Sequence, residues 1–411
     1  MSRHFIKFNH FSLVLLILGI VLCGNINTWA VEPKPGDVID ASNIEQYKDY
    51  FPMFIERYIK DGWGFEKPMV VKVREADPVP FTKGYMEASK KNMATTKLTS
   101  EGLLEGYSGQ GCPFLEPKEP NMGTKLMWNQ FYKSFPDDWF IPGYYISFSK
   151  RKGGNVIVGD TRYEQLMFSN RTMVNPMPEI ENPKQLYYAN RLVSLTPPNK
   201  DLDTLTWRYK DPMKYDDMWT YIPTLRRALR LVSSERANPI QGTPYTWDDI
   251  FGFDGKIPFF TYEIIGEQTV LNLVHQKIKC EEIDRKTWPW HPVLHQGEEY
   301  ETVPSYIIEI KSKDPRYPYT RKTVWMDKKK FNVIYAQMYD KNNDFWKGFW
   351  NGGQVRMVKT TYGEEPFAIQ CSSGITDFKT QYWIGTITGG LEMNKGGDPS
   401  YFTPGALTIG R

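Results

Sequence analysis

From about residue 102 onward, side-chain polarity alternates with a period of two, in short runs divided by polar turns. A strand sends successive side chains to opposite faces, so this period commits most of the chain to β-structure. Tyr306, Ile308 and Ile310 alternate with Ile307, Glu309 and Lys311. Tyr144–Ser149 and Asn155–Phe168 flank Lys152-Gly153-Gly154, and Thr323–Met326 and Asn332–Tyr339 flank the charged Asp327-Lys328-Lys329-Lys330. Both patterns predict hairpins. Thr261–Cys280 and Phe378–Thr388 add runs rich in Ile, Val, Thr and aromatics. About ten strands with short connections imply a mainly β fold, a large, strongly curved antiparallel sheet or barrel, and exclude βαβ units. The 13 Trp, 25 Tyr and 23 Phe, with 29 Pro and 32 Gly, point the same way.

Residues 31–101 read differently. Ser42-Asn43-Ile44-Glu45 fits a capping box, and Ile44, Tyr47, Phe51, Phe54 and Tyr58 then form one apolar stripe at helical spacing. Pro52 interrupts the stripe, so a kink or two short helices is expected rather than one straight rod, and Gly62 is a natural stop. A further helix is predicted over Phe81–Leu98, with Tyr85, Met86, Met93 and Leu98 for packing. Before this segment stand Arg3 and Lys7, an apolar run from Phe11 to Cys23, and a polar stretch ending at Ala30. That is the layout of a secretory signal peptide over residues 1–30, cleaved after Ala30. The apolar run is short for a membrane span, and Leu22 before Cys23 is a poor match to a lipoprotein cleavage site. The expected domains are therefore the signal peptide, a helical segment over 31–101 and a curved β domain over 102–411.

The formal charge of +3 excludes the concentrated basic face that nucleic acid requires. Catalytic signatures are weak. Gly106-Tyr107-Ser108-Gly109 has Gln110 where a nucleophile elbow needs glycine, so these read as turn glycines. After Ala30 the histidines are His275, His291 and His295. The prolines around Trp290 forbid a helix that would present the last two as a metal pair, so no metal and no cofactor is expected. Asp248, Asp249 and Asp254 lie close enough in sequence to hold a hard cation, although Asp is as much at home in turns. Cys112, Cys280 and Cys371 have no CxxC spacing, and which of them pair, if any, is open.

Leu104-Glu105-Gly106-Tyr107, Pro113-Phe114 and Gly123-Thr124-Lys125-Leu126-Met127-Trp128-Asn129 resemble the proteobacterial secreted family known as domain of unknown function 1329. Trp219-Thr220-Tyr221-Ile222-Pro223-Thr224-Leu225-Arg226-Arg227, then Gly242 and Thr246-Trp247-Asp248-Asp249, look like its central signature. Trp325-Met326-Asp327 and Tyr335–Asp340 are similar to the wider outer-membrane lipoprotein-sorting-like group. Leu115, in place of a second proline, and Cys112 depart from the pattern within one loop. The resemblance implies a LolA/LolB-like fold, an incomplete antiparallel barrel whose open side is covered by helices around an apolar cavity. It also implies a periplasmic setting, with an envelope transporter of the resistance-nodulation type or an outer-membrane protein as partner.

Three functions compete. The first is a carrier or chaperone for a lipid or acylated protein. The second is a module that docks on an envelope transporter. The third is an enzyme acting on lipid or glycan through carboxylates such as Asp248 and Asp249. If 225–231 is extended, Leu225, Arg227, Leu229 and Leu231 share one face toward the cavity, near Trp219 and Tyr221. Arg227 would then meet a buried acid, snorkel to solvent or await a ligand anion. N-terminal sequencing of exported protein is expected to begin at Val31, because Thr28 and Ala30 occupy the small positions before the cut. An acylated Cys23 at that terminus would overturn this.

Overall fold

Pro52 and Gly62 divide the N-terminal stripe as their chemistry requires. The computed structural model describes residues 31–62, 68–150, 157–231, 236–240, 243–277 and 298–408. Within it, α1 (Ile44–Tyr47) runs through a 3-10 turn to Pro52, which caps α2 (Met53–Asp61). Gly62 ends α2 in the left-handed region at φ 63°, with its N–H on the Tyr58 carbonyl. Ile44, Tyr47, Phe51, Phe54 and Tyr58 are all buried. The expected capping box does not form. Asn43 is the N-cap, and the Asp40 carboxylate instead accepts the N–H and hydroxyl of Ser42 at 2.8 and 2.5 Å. An ionised acceptor two residues away outcompetes the helix terminus for that hydroxyl.

The next helix, α3 (Lys83–Thr95), buries Tyr85, Ala88, Ser89 and Asn92, whereas Met93 is exposed. The polar stripe faces inward because it pins the loop 106–112. Asn92 Nδ2 donates to the carbonyls of Gln110 and Cys112, and the Cys112 N–H donates to Ser89 Oγ at 2.9 Å. Gly111 presses on this helix at φ +69°, where a Cβ would lie 2.5 Å from the Ser89 nitrogen. The Gly106–Gly111 run is thus a pinned turn. A helix not expected from periodicity, α4 (Met122–Phe131), follows, with Leu126, Met127 and Trp128 buried.

The described residues hold more strands than the ten expected. Short strands β1 (Val38–Ile39), β2 (Val71–Val73), β3 (Lys97–Leu98) and β4 (Leu104–Glu105) lead in. The main run is β5 (Asp138–Lys150), β6 (Ile157–Met167), β7 (Leu186–Ser194), β8 (Asp203–Tyr209), β9 (Asp217–Ile222) and β10 (Arg227–Leu231). Then come β11 (Phe260–Asn272), β12 (Glu299–Ser312), β13 (Arg321–Asp327), β14 (Val333–Tyr339), β15 (Phe345–Thr360), β16 (Gly363–Asp377), β17 (Tyr382–Gly389) and β18 (Glu392–Met393). Sixteen of these form one sheet in the order β1-β2-β12-β13-β14-β15-β16-β17-β5-β6-β7-β8-β9-β10, with β11 on β12 and β18 on β5. Its pairs are antiparallel except β2 with β12, and it does not close. The fold is therefore a large, curved, incomplete antiparallel barrel. Both predicted hairpins are present as β5–β6 and β13–β14, although residues 151–156 of the first turn lie outside the described residues.

Two apolar cores explain the extra strands. On β13 and β15, Trp325 and Trp350 face α1 and α2, whereas Val324, Met326 and Phe349 face α3, α4 and the segment 245–260. Strands covered on both faces are buried at successive positions, so alternation fades where burial is deepest. Of the N-terminal helices, α3 packs on the same side as α4, and α1 and α2 on the other. Gly348 lets Phe54 lie on the sheet, since a Cβ there would come within 2.5 Å of its ring. Phe54→Ala is expected to destabilise the fold by about 3–5 kcal/mol in chemical denaturation. A loss under about 1 kcal/mol would mean that α2 is not a structural part of the sheet's core.

Candidate ligand cavity

Period two converts directly into a wall. β6 turns Thr161, Tyr163, Gln165 and Met167 to one side, opposite Ser194, Leu192, Asn190 and Tyr188 of β7. On β8, Thr206 and Arg208 continue that surface opposite Asn190 and Tyr188. Trp139 and Ile141 of β5, Ser372 and Ser373 of β16, and Ile384 and Thr386 of β17 extend it the other way. Over this face lie Phe131 at the end of α4, Lys133 and Phe135 just beyond it, and a cover that runs from Tyr245 through the 3-10 turn Trp247–Gly252 to Asp254. A cavity of about 530 Å³ remains between wall and cover. Gly159, Thr161, Ser372, Ser373 and Thr386 are too small to fill it. The outer face of the same strands is closed, because Leu205, Tyr209 and Tyr221 pack against Phe402 and Leu407.

Part of the cavity is an aromatic box. Phe135 meets Trp139 edge-on at 4.7 Å and Phe251 at 5.6 Å, and Trp139 meets Tyr163 at 5.4 Å. Lys133 Nζ sits 3.8 Å above the Phe251 ring. Burial drives its pKa down to about 8; Asp254 pulls it up and Arg208 pushes it further down. Two buried polar groups on the wall, Trp139 Nε1 and Thr206 Oγ1, have no partner among the described residues.

Elsewhere the cavity meets a buried charge network. Arg208 bonds Asp216 through Nε and Nη2 at 3.1 and 3.0 Å and Asp254 through Nη1 at 2.8 Å. Arg236 reaches Asp216 at 2.7 Å, Asp248 at 2.9 Å and Asp254 at 2.9 Å. Lys256 Nζ lies 2.9 Å from Asp216, an ion pair by distance although off the hydrogen-bond direction. Burial raises the Asp216 pKa, but Arg208, Lys256 and Arg236 together hold it well below its ordinary value. Burial, together with repulsion from Arg208 and Arg236, outweighs the attraction of Asp216 at Lys256, whose pKa falls to about 8. A second group ties the cover down: Asp249 accepts from Lys322 Nζ at 2.8 Å, from Tyr319 at 2.8 Å and from Thr246, whose capping box it completes.

Asp248, Asp249 and Asp254 are thus each occupied by arginine or lysine, which leaves neither a cation site nor a free general base. Among the described residues no cluster of three His, Cys, Asp or Glu is placed to hold a metal. His275 is bonded to Glu301 at 2.5 Å, whereas His291 and His295 lie outside the described residues. Cys112 and Cys371 are buried free thiols, pushed up by burial to about 11 and about 12, and Cys280 lies outside the described residues.

The expected cluster around Arg227 is not at the cavity. Pro223–Leu225 form a 3-10 turn, Arg226 takes φ +50°, and β10 begins only at Arg227, so exposed Leu225 is not on the strand. Register does place Arg227, Leu229 and Leu231 on one face, opposite Ile222, Thr220 and Met218. That face belongs to a strand paired, among the described residues, only with β9, and Arg227 is exposed there with Leu229 and Leu231 half-buried. Charged side chains on such an edge discourage further strand pairing. Trp219 and Tyr221 point to the other face, Trp219 against Trp207 at 4.8 Å and Tyr221 in the outer core. The residues missed were Lys133, Trp139, Arg208 and Arg236. Their signal was a lysine between Phe131 and Phe135 and an arginine alternating with Trp207 and Tyr209, both readable only once a face is assigned.

Asp216→Asn should cost about 3–5 kcal/mol in urea or thermal unfolding, because it leaves three buried cations undercompensated. Arg227→Leu should change stability by no more than about 0.5 kcal/mol. Equal effects of the two substitutions would contradict these placements.

No curated protein matches the chain. Among solved structures it is similar to a domain named for outer membrane lipoprotein sorting from Vibrio parahaemolyticus, at 14% identity and TM-score 0.49, covering 70% of this chain and 98% of that one. It is similar to a DUF1329 family protein from Desulfovibrio piger at 17% identity and TM-score 0.49, covering 71% and 100%. A LolA superfamily protein from Nitrosomonas europaea aligns at 12% identity and TM-score 0.40, covering 68% and 97%. The match that decides membership is to the whole family pattern, which runs over residues 38–408: the chain belongs to the family of proteins of unknown function DUF1329.

Proposed function

We propose that this protein is a periplasmic carrier that takes a hydrophobic molecule, a lipid or an acyl chain, into the cavity between its sheet and its cover. The observation that carries this reading is the cavity of about 530 Å³, walled by Trp139, Tyr163, Tyr188 and Phe251 and left unfilled by the protein's own side chains. That volume lies within the roughly 300–1,000 Å³ of small-molecule sites, which are mostly apolar with a few placed polar groups. The signal-peptide layout of residues 1–30 in the sequence supports the periplasmic setting, and an envelope transporter of the resistance-nodulation type, or an outer-membrane protein, is the partner that would supply or receive the cargo. The enzyme alternative loses its named residues, because Asp248 and Asp249 are held in ion pairs.

Native mass spectrometry of protein purified from the periplasm, followed by solvent extraction, tests the proposal. One class of hydrophobic molecule is expected to co-purify in stoichiometric amount. Leu192→Trp, which sends an indole into the cavity from half-buried Leu192, is expected to fold normally and to lose that molecule. Ligand-free protein that instead holds a stable partner protein would replace the carrier reading with the docking module.

A further inference from the structure

The charged residues that line the cavity are partnered with one exception. Arg208, Arg236 and Lys256 stand against Asp216, Asp248 and Asp254, and Lys322 is bonded to Asp249. Of the charged residues lining the cavity, Arg208, Arg236 and Asp254 belong to that network and Asp160 has a partner of its own. Lys133 is left over. Among the described residues it has no carboxylate at ion-pair distance and no hydrogen-bond acceptor, only the rings of Phe251 at 3.8 Å and Phe135 at 5.9 Å. The unpartnered indole N–H of Trp139, a residue only 6% exposed, belongs to the same aromatic box.

An ammonium taken partly out of water without a counter-ion is costly, and a bound anion would remove that cost. The aromatic faces that surround it suit the first methylenes of an acyl chain. Resting on the carrier reading, we propose that the cargo is an amphiphile with one anionic head, a carboxylate or a phosphate monoester, which lies against the Lys133 ammonium while its apolar chain fills the rest of the cavity. Trp139 is the second donor to that head. Asp254 pulls the Lys133 pKa up and Arg208 pushes it down, so the two act on the lysine in opposite senses.

The test is isothermal calorimetry with dodecanoate, dodecyl phosphate and dodecanol, on the full mature protein and on Lys133→Met and Lys133→Arg. At pH 7 the unsubstituted protein is expected to bind an anion about ten- to a hundredfold more tightly than the alcohol. Preference for dodecanoate over dodecyl phosphate assigns the carboxylate, and the reverse assigns the phosphate. Lys133→Met should abolish the anion preference, leave dodecanol binding unchanged, and melt no lower than the parent, since it removes an uncompensated charge. Lys133→Arg should keep the preference. The pH profile separates ion pairing from packing. The ammonium is present below about pH 8 and lost above it, so the preference should fall between pH 7 and 10 in the parent and persist in Lys133→Arg. Equal binding of alcohol and anions by the parent, or an undiminished preference in Lys133→Met, overturns the head-group assignment and leaves the carrier reading standing. Folded parent protein that binds none of the three overturns both.

Discussion

The carboxylate of Asp216 is where the cover is fastened to the sheet. It stands immediately before β9, fully buried, and receives Arg208 from β8 together with Arg236 and Lys256 from either side of the cover. Each of these ions would be expensive to bury alone, so none can leave without stranding the others. This differs in kind from holding a lid by apolar packing. Apolar surfaces gain by closing every gap, and a cover attached that way would sink onto the wall. A cover held at fixed points by directional charges can bridge the same wall and leave space beneath it.

That space is affordable because stability is collected elsewhere. The aromatic and aliphatic residues between α1–α2 and β11–β15 form one core, and those between α3, α4, the cover and the other face of the same strands form a second. A third closes the outer side of β7–β9 with the C-terminal turns around Phe402 and Leu407. The cavity occupies the one stretch of sheet, β5 to β8 with β16 and β17, where the inward positions alternate to glycine, serine and threonine as well as tryptophan and tyrosine. Filling it with a ligand adds contacts that the folded chain alone cannot make, and a ligand that binds only the folded state stabilises it by mass action.

How much of this was legible depended on how local each signal was. The Ile44–Tyr58 stripe, the break at Pro52, the stop at Gly62 and both hairpins rest on interactions within a few residues, and all of them appear in the structure. Met93 and the Ser42 capping box failed because longer-range or stronger partners intervened: the 106–112 loop claimed the face of α3 that carries Ser89 and Asn92, and Asp40 claimed the Ser42 hydroxyl. The Arg227 site failed through one turn. Alternation over 225–231 is real from Arg227 onward, but a 3-10 turn and a left-handed Arg226 displace its start, and no local feature says that β10 is the sheet's edge. Asp248, Asp249 and Asp254 were found as a group, but their partners Arg208 and Lys322 come from distant strands and Arg236 from across a turn, and only the fold brings them together.

Lys133 shows why a site of this kind escapes the sequence and yet is conspicuous in the fold. Between Phe131 and Phe135 it reads as an ordinary polar residue in an aromatic loop. In place, it is a half-buried cation whose neighbouring charges already satisfy one another, and its low pKa records the resulting cost. An apolar residue of similar length could make the same contacts with Phe251 and Phe135 without that cost. Structural packing therefore does not account for a lysine here, whereas the proposed recognition of a negative charge would. On this argument the neutral network and the odd lysine are complementary. The network holds the chamber open with its own charges paired, and so leaves, in the carrier we propose, the selection of cargo to the one unpaired charge on the lining.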